Sequence, residues 1–128
     1  MTTSNDKQQQ DDAHVESLSA ITFATHDMAR AVRFYEALGF RKLYGGGNEA
    51  FTSFALGNSY LNLTSETHGP IGFWGRVVIY VSDVDAFYRK VRAHGIEPQF
   101  APRDAPWNER YFHLTDPDGH ELSFAKPL

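Results

Sequence analysis

The sequence predicts an α+β fold made of two tandem βαβββ modules with mostly antiparallel strands. Three observations carry this. First, one pattern occurs twice without a gap, as AITFATHDMARAVRFYEALGF from Ala20 to Phe40 and as RVVIYVSDVDAFYRKVRAHGI from Arg76 to Ile96, an offset of 56 residues. Such self-similarity marks an internal duplication. Second, each copy begins with period-two alternation and passes into helical spacing. Third, each copy is followed by three further extended segments set off by turn residues.

Residues 1–17 are polar and contain a Gln run. They bury too little apolar surface to offset their ordering entropy, so a flexible tail is expected, with a single domain over 18–128. Its modules span 18–64 and 73–126. In the first strand Ile21 and Phe23 share one face; in its counterpart Val77, Ile79 and Val81 do. Asp27 and Asp83 stand where a side chain accepts from the first-turn amides of a helix, and His26 is placed to help the first cap. Val32, Tyr35 and Leu38, then Val84, Phe87, Tyr88 and Val91, recur at helical spacing. Gly39 and Gly95 end the helices, where positive φ is cheap only for glycine. The expected strands are then 40–44, 50–56 and 59–64 in the first half, and 97–101, 109–115 and 120–125 in the second. Gly57-Asn58 is a two-residue hairpin signal, and Asp116-Pro117-Asp118-Gly119 a turn. Gly45-Gly46-Gly47 lacks the strand–Gly–helix context and the Lys of a phosphate loop, and reads as a hairpin turn.

The 128 residues carry 12 Lys and Arg against 16 Asp and Glu, with no Cys and 14% aromatics. The aromatic content supports a core. Mild acidity without a basic stripe argues against nucleic acid and against an anionic membrane surface. The lack of Cys excludes disulfides, thiolate metal sites and a cysteine nucleophile. No apolar run reaches a membrane span, and none looks like a signal peptide, so a cytoplasmic protein is the expectation.

The duplicated βαβββ with "FYEALGF" after the first strand and "DPDGHELSF" near the end resembles the vicinal oxygen chelate superfamily, which includes glyoxalase I, extradiol dioxygenases and the fosfomycin and bleomycin resistance proteins. The resemblance covers about residues 18–126. It implies the glyoxalase/bleomycin resistance fold, in which the sheets are cupped around a small ligand, and often a dimer. It also implies a divalent metal held by His, Gln or Glu at four positions, two on the first strands and two on the last. Those positions here are Ala20, Arg76, Asn62 and Ser123. A methyl group cannot coordinate, a guanidinium repels a cation, and Asn and Ser are weak neutral ligands. The expectation is therefore no metal and no cofactor, with metal-dependent glyoxalase or dioxygenase chemistry disfavoured.

Strand phase assigns the cup. Leu61, Leu63, Leu122, Phe124, Phe112 and Leu114 belong to the core, leaving Phe51, Tyr60, Asn62, Arg76, Tyr80, Tyr111, His113, Glu121 and Ser123 on the other face, with Trp107 in the preceding Pro-rich loop. Aromatic surface with a few polar groups suits a small-molecule pocket. Arg76 either clamps an anionic ligand or pairs with Glu121. No other cation is expected on the cup strands, since Arg110 falls in phase with Phe112. His113 beside Glu121 is either a polar pair lining the pocket or a general base whose basicity the carboxylate raises. Trp107 is either a lid over the ligand or a plug over a sheet edge. His120 is expected to pack against or cap its hairpin. The leading expectation is a protein that binds a small organic ligand in a metal-free aromatic cup, with drug or toxin sequestration one version. The alternative is a lyase, isomerase or dioxygenase-type enzyme acting on a small carbonyl or hydroxy compound. Sheet edges and aromatic surface at Phe73 and Trp74 predict a homodimer.

Overall fold

The computed structural model describes residues 13–128, so most of the expected tail lies outside the described residues. Strand β1 (Ala20–Ala24) leads into helix α1 (Met28–Ala37), then β2 (Lys42–Tyr44), β3 (Phe51–Leu56) and β4 (Ser59–Thr64). The second module repeats this with β5 (Arg76–Tyr80), α2 (Val84–Ala93), β6 (Arg103–Asp104), β7 (Glu109–Thr115) and β8 (Glu121–Pro127). Each module forms its own four-stranded sheet, ordered β1-β4-β3-β2 and β5-β8-β7-β6. Within each, the first strand pairs parallel to the last and the other pairs are antiparallel.

Both helices begin as their sequences predict. The Asp27 carboxylate accepts from the Arg30 amide at 3.1 Å, and Asp83 accepts from Ala86 at 3.0 Å. His26 does not cap; its ring lies against that of His68 at 3.9 Å. Gly39 and Gly95 follow the helix ends with φ of 97° and 78°.

The period-two reading of the faces holds. Phe23, Phe54, Leu61, Leu63, Phe112, Leu114, Leu122 and Phe124 are buried, and they join α1 and α2 in one core that spans both modules. Burying each such side chain contributes about 1.5–3 kcal/mol. Two expected strands differ. The segment 97–101 is not a strand, because Pro98 and Pro102 have no N–H to give to a ladder. It makes one strand-like bond, from the Gln99 amide to the His113 carbonyl, before β6 pairs with β7 through Arg103 and Asp104. Strand β2 is shorter than 40–44, and its register with β3 shifts between Lys42 and Tyr44.

The turn between β7 and β8 fastens the modules together. One Asp116 oxygen accepts from the Asp118 and His120 amides, and the other accepts the Tyr35 hydroxyl of α1 at 2.7 Å. His120 is buried, stacks on Phe23 at 4.5 Å, and donates through Nε2 to the Ala24 carbonyl of β1. Its Nδ1 accepts from the Trp74 indole at 2.9 Å, so these two bonds require the neutral, Nε2-protonated ring.

Candidate ligand-binding cup

Strand β7 alternates, so Glu109, Tyr111 and His113 emerge on the face opposite the core. Their neighbours on that face are Ser123 and Glu121 of β8 and Arg76, Val78 and Tyr80 of β5, set by the pairs His113–Ser123 and Arg76–Glu121. A cavity of about 240 Å³ is lined here by Arg76, Val78, Trp107, Glu109, Tyr111, His113 and Ser123. Its wall is a run of rings. Trp107 and Tyr111 lie 5.5 Å apart, Tyr111 and His113 5.1 Å, and Phe100 sits 5.0 Å from His113. Trp107 is exposed, its indole donating to Glu109, so it does not plug the sheet edge. Tyr80 also donates to Glu109, which pushes its phenol pKa up.

One end of the cavity holds an ion pair. Arg76 donates from Nε and Nη2 to one Glu121 oxygen at 3.2 and 3.0 Å. Gln99 donates to the other oxygen at 2.9 Å. Burial works to raise the Glu121 carboxyl, but the Gln99 and Arg76 bonds outweigh it, and the group ionises below its ordinary range. Arg76 thus stands in the paired arrangement, not as an uncommitted clamp. His113 Nδ1 lies 3.6 Å from Glu121, beyond a good hydrogen bond. Its pKa is lowered, first by burial and then by the Arg76 charge, against which Glu121 pulls the other way. The expected gain in basicity is therefore reversed, because Arg76 and the apolar wall both penalise the imidazolium.

The first-module residues do not join this cavity. Phe51, Tyr60 and Asn62 lie on the separate sheet of β1 to β4, where Tyr60 faces Ala20 and the Asn62 amide donates to Thr22 Oγ1. Each module turns its own face outward, so one chain does not merge the two sets. Sequence reasoning also missed Arg103, a second cation at this face. Its guanidinium lies 3.7 Å over Phe100, and its Nε donates to the Tyr111 hydroxyl. Glu109 shares the phase of Tyr111 and was findable from it, whereas Arg103, in a two-residue strand after Pro102, has no period to betray it. Arg110 turns away as expected and pairs with Asp85 and Asp104, each at 3.0 Å.

The four positions that would hold a divalent metal do not fit one. Ala20 has no donor atom, Arg76 is a paired cation, Ser123 is buried beside His113, and Asn62 is engaged with Thr22. Among the described residues no cluster of three or more His, Asp or Glu side chains is arranged to hold a metal ion.

The profile of the Glyoxalase/Bleomycin resistance protein/Dioxygenase superfamily matches residues 17–124. The chain belongs to this superfamily. A glyoxalase/bleomycin resistance protein/dioxygenase from Nocardioides superimposes with a TM-score of 0.75 at 23% identity, covering 100% of this chain and 94% of that one. A bleomycin resistance determinant encoded on transposon Tn5 gives 0.72 at 22% identity, over 88% of this chain and 98% of its own. A bleomycin-binding protein solved with bleomycin gives 0.71 at 22% identity, over 89% and 100%. At these identities the likeness speaks for the fold. Among curated proteins no match is found.

Proposed function

We propose that this glyoxalase-superfamily chain binds a small organic molecule in the second-module cup, without a metal ion. The observation that carries the reading is the row of rings, Trp107–Tyr111–His113, that walls a cavity beside the Arg76–Glu121 pair. Stacked rings offer a planar ligand attraction beyond its buried area, and the ion pair offers both a donor and an acceptor to fix its orientation. Another member of the superfamily was solved holding bleomycin, a precedent for ligand capture on this fold. Phe73, Trp74 and Trp107 remain exposed in the single chain. A second copy of the chain covers them in this reading, so the binding unit is a homodimer.

The test is a fluorescence titration of the protein with planar heteroaromatic compounds, with and without chelator. Loss of one ring contact, in Trp107→Ala or Tyr111→Ala, is expected to weaken binding by about 0.5–1.5 kcal/mol beyond lost area, or roughly two- to tenfold. Binding that needs an added divalent metal, or that ignores both substitutions, overturns the proposal.

A further inference from the structure

The duplicated modules meet at a seam, and its two ends are built differently. At one end strand β1 is an open edge, and the turn Asp116–His120 covers it. His120 donates to the Ala24 carbonyl, and the Asp118 carboxylate accepts the His26 amide at 2.9 Å. At the other end strand β5 is the open edge. The turn that faces it, between β3 and β4, has only the two residues Gly57 and Asn58. It is too short to reach across.

What remains there is a groove of about 450 Å³. Its floor is apolar, with Phe40 and Leu56 from the first module and Ile79 and Phe87 from the second. Its wall is the edge of β5. The Val81 amide donates to Ala125 of β8, and in a parallel ladder alternate residues bond the same neighbour. The N–H and C=O of Val78 and Tyr80 therefore point away from β8. Tyr80 occupies the place that Ala24 holds in the first module, yet no bond to its carbonyl forms among the described residues. Arg41 lines the groove. Lys90 stands over the Phe87 ring at 5.7 Å, and its Nζ rests against Gly39. Neither cation has a carboxylate within 4.0 Å among the described residues.

Three demands follow for an occupant: an apolar body, an amide to meet an edge strand, and an anionic end for Arg41 and Lys90. We propose that this groove is a second ligand site, for N-acyl amino acids. The acyl chain lies on the apolar floor, the amide pairs with the Val78–Tyr80 backbone, and the carboxylate reaches the two cations. The groove meets the cup cavity only at Val78, so this site stands apart from the proposed function.

The probe is N-octanoylglycine, followed by amide NMR and calorimetry on the full chain. Saturable shifts are expected at Val78–Val81 and Leu38–Arg41. The methyl ester and the Arg41→Gln/Lys90→Gln variant should each weaken binding about tenfold. N-octanoylsarcosine, which lacks the N–H, should weaken it as well. Trp107→Ala should leave it unchanged. The proposal is overturned by absence of saturable binding at millimolar probe, by equal affinity for acid and ester, or by binding that Trp107→Ala removes. The last outcome would place the probe in the cup.

Discussion

At His113 a single imidazole feels Arg76, Glu121 and an apolar wall at once. Its lowered pKa predicts an NMR titration midpoint below the ordinary histidine value of about 6.5. Arg76→Met removes the repelling charge and should move that midpoint up, while Glu121→Gln should move it further down. Midpoints that fail to move in opposite directions would discount the electrostatic account. The stability consequence has a definite sign. The folded chain holds the proton less tightly than the unfolded chain, so this stability is present above pH 6.5 or so and drains away as pH falls through the lower folded midpoint. In His113→Gln that part of the acid sensitivity should be missing. The Arg76–Glu121 pair itself is partly exposed on the Arg side. A double-mutant cycle with Arg76→Met and Glu121→Gln should give a coupling of about 0.2–1 kcal/mol, read by denaturant unfolding. Period-two spacing was enough to place His113, Glu121 and Arg76 on one face. It did not reveal that His113 would lose basicity, because that depends on burial and on the approach of Arg76, and spacing carries neither.

Among the elements, the β7–β8 turn and helix α1 share the bond with the most at stake. Tyr35 is fully buried, and its hydroxyl is a donor to the Asp116 carboxylate. Burial raises the Asp116 pKa, and the bonds from Tyr35 and the His120 amide oppose that rise. Tyr35→Phe keeps the ring and strands the carboxylate, at a cost of about 1.5–3 kcal/mol near neutral pH. The cost should shrink as pH falls through the raised Asp116 pKa, because the protonated acid needs the donor less. Urea titrations of parent and variant at pH 7 and pH 4 measure this, and an equal loss at both would contradict it. The helices, the hairpin strands β3 and β4 and strand β7 were legible because caps, glycines and alternation are local signals. Strand β6 was not, since it has two residues and exists only by pairing with β7. The apparent strand at 97–101 failed on its prolines.

For the whole molecule, two outcomes follow from the cup reading. Chelator should leave the melting temperature unchanged, because a metal bound only by the native state would stabilise it by linkage. Sedimentation at micromolar concentration should give twice the 14.5 kDa chain mass, and a monomer alone would count against the covered cup. The duplication made the fold legible at this scale, since one module read twice supplies the whole architecture. The cup was only half legible. Alternation says which residues leave the core, but not that Phe51, Tyr60 and Asn62 leave it on a different sheet from His113. The seam that keeps those sheets apart also sets a timetable for the chain. His120 meets Ala24 across 96 residues, and Asp116 meets Tyr35 across 81. Contacts so distant in sequence must close large loops before they reward the chain, which slows folding. During synthesis the first module would leave the ribosome with β1 uncovered and Tyr35 without its acceptor, and would wait for nearly the last strand to be made. A ribosome stalled before residue 116 should therefore display a protease-sensitive first module, and release of the full chain should protect it.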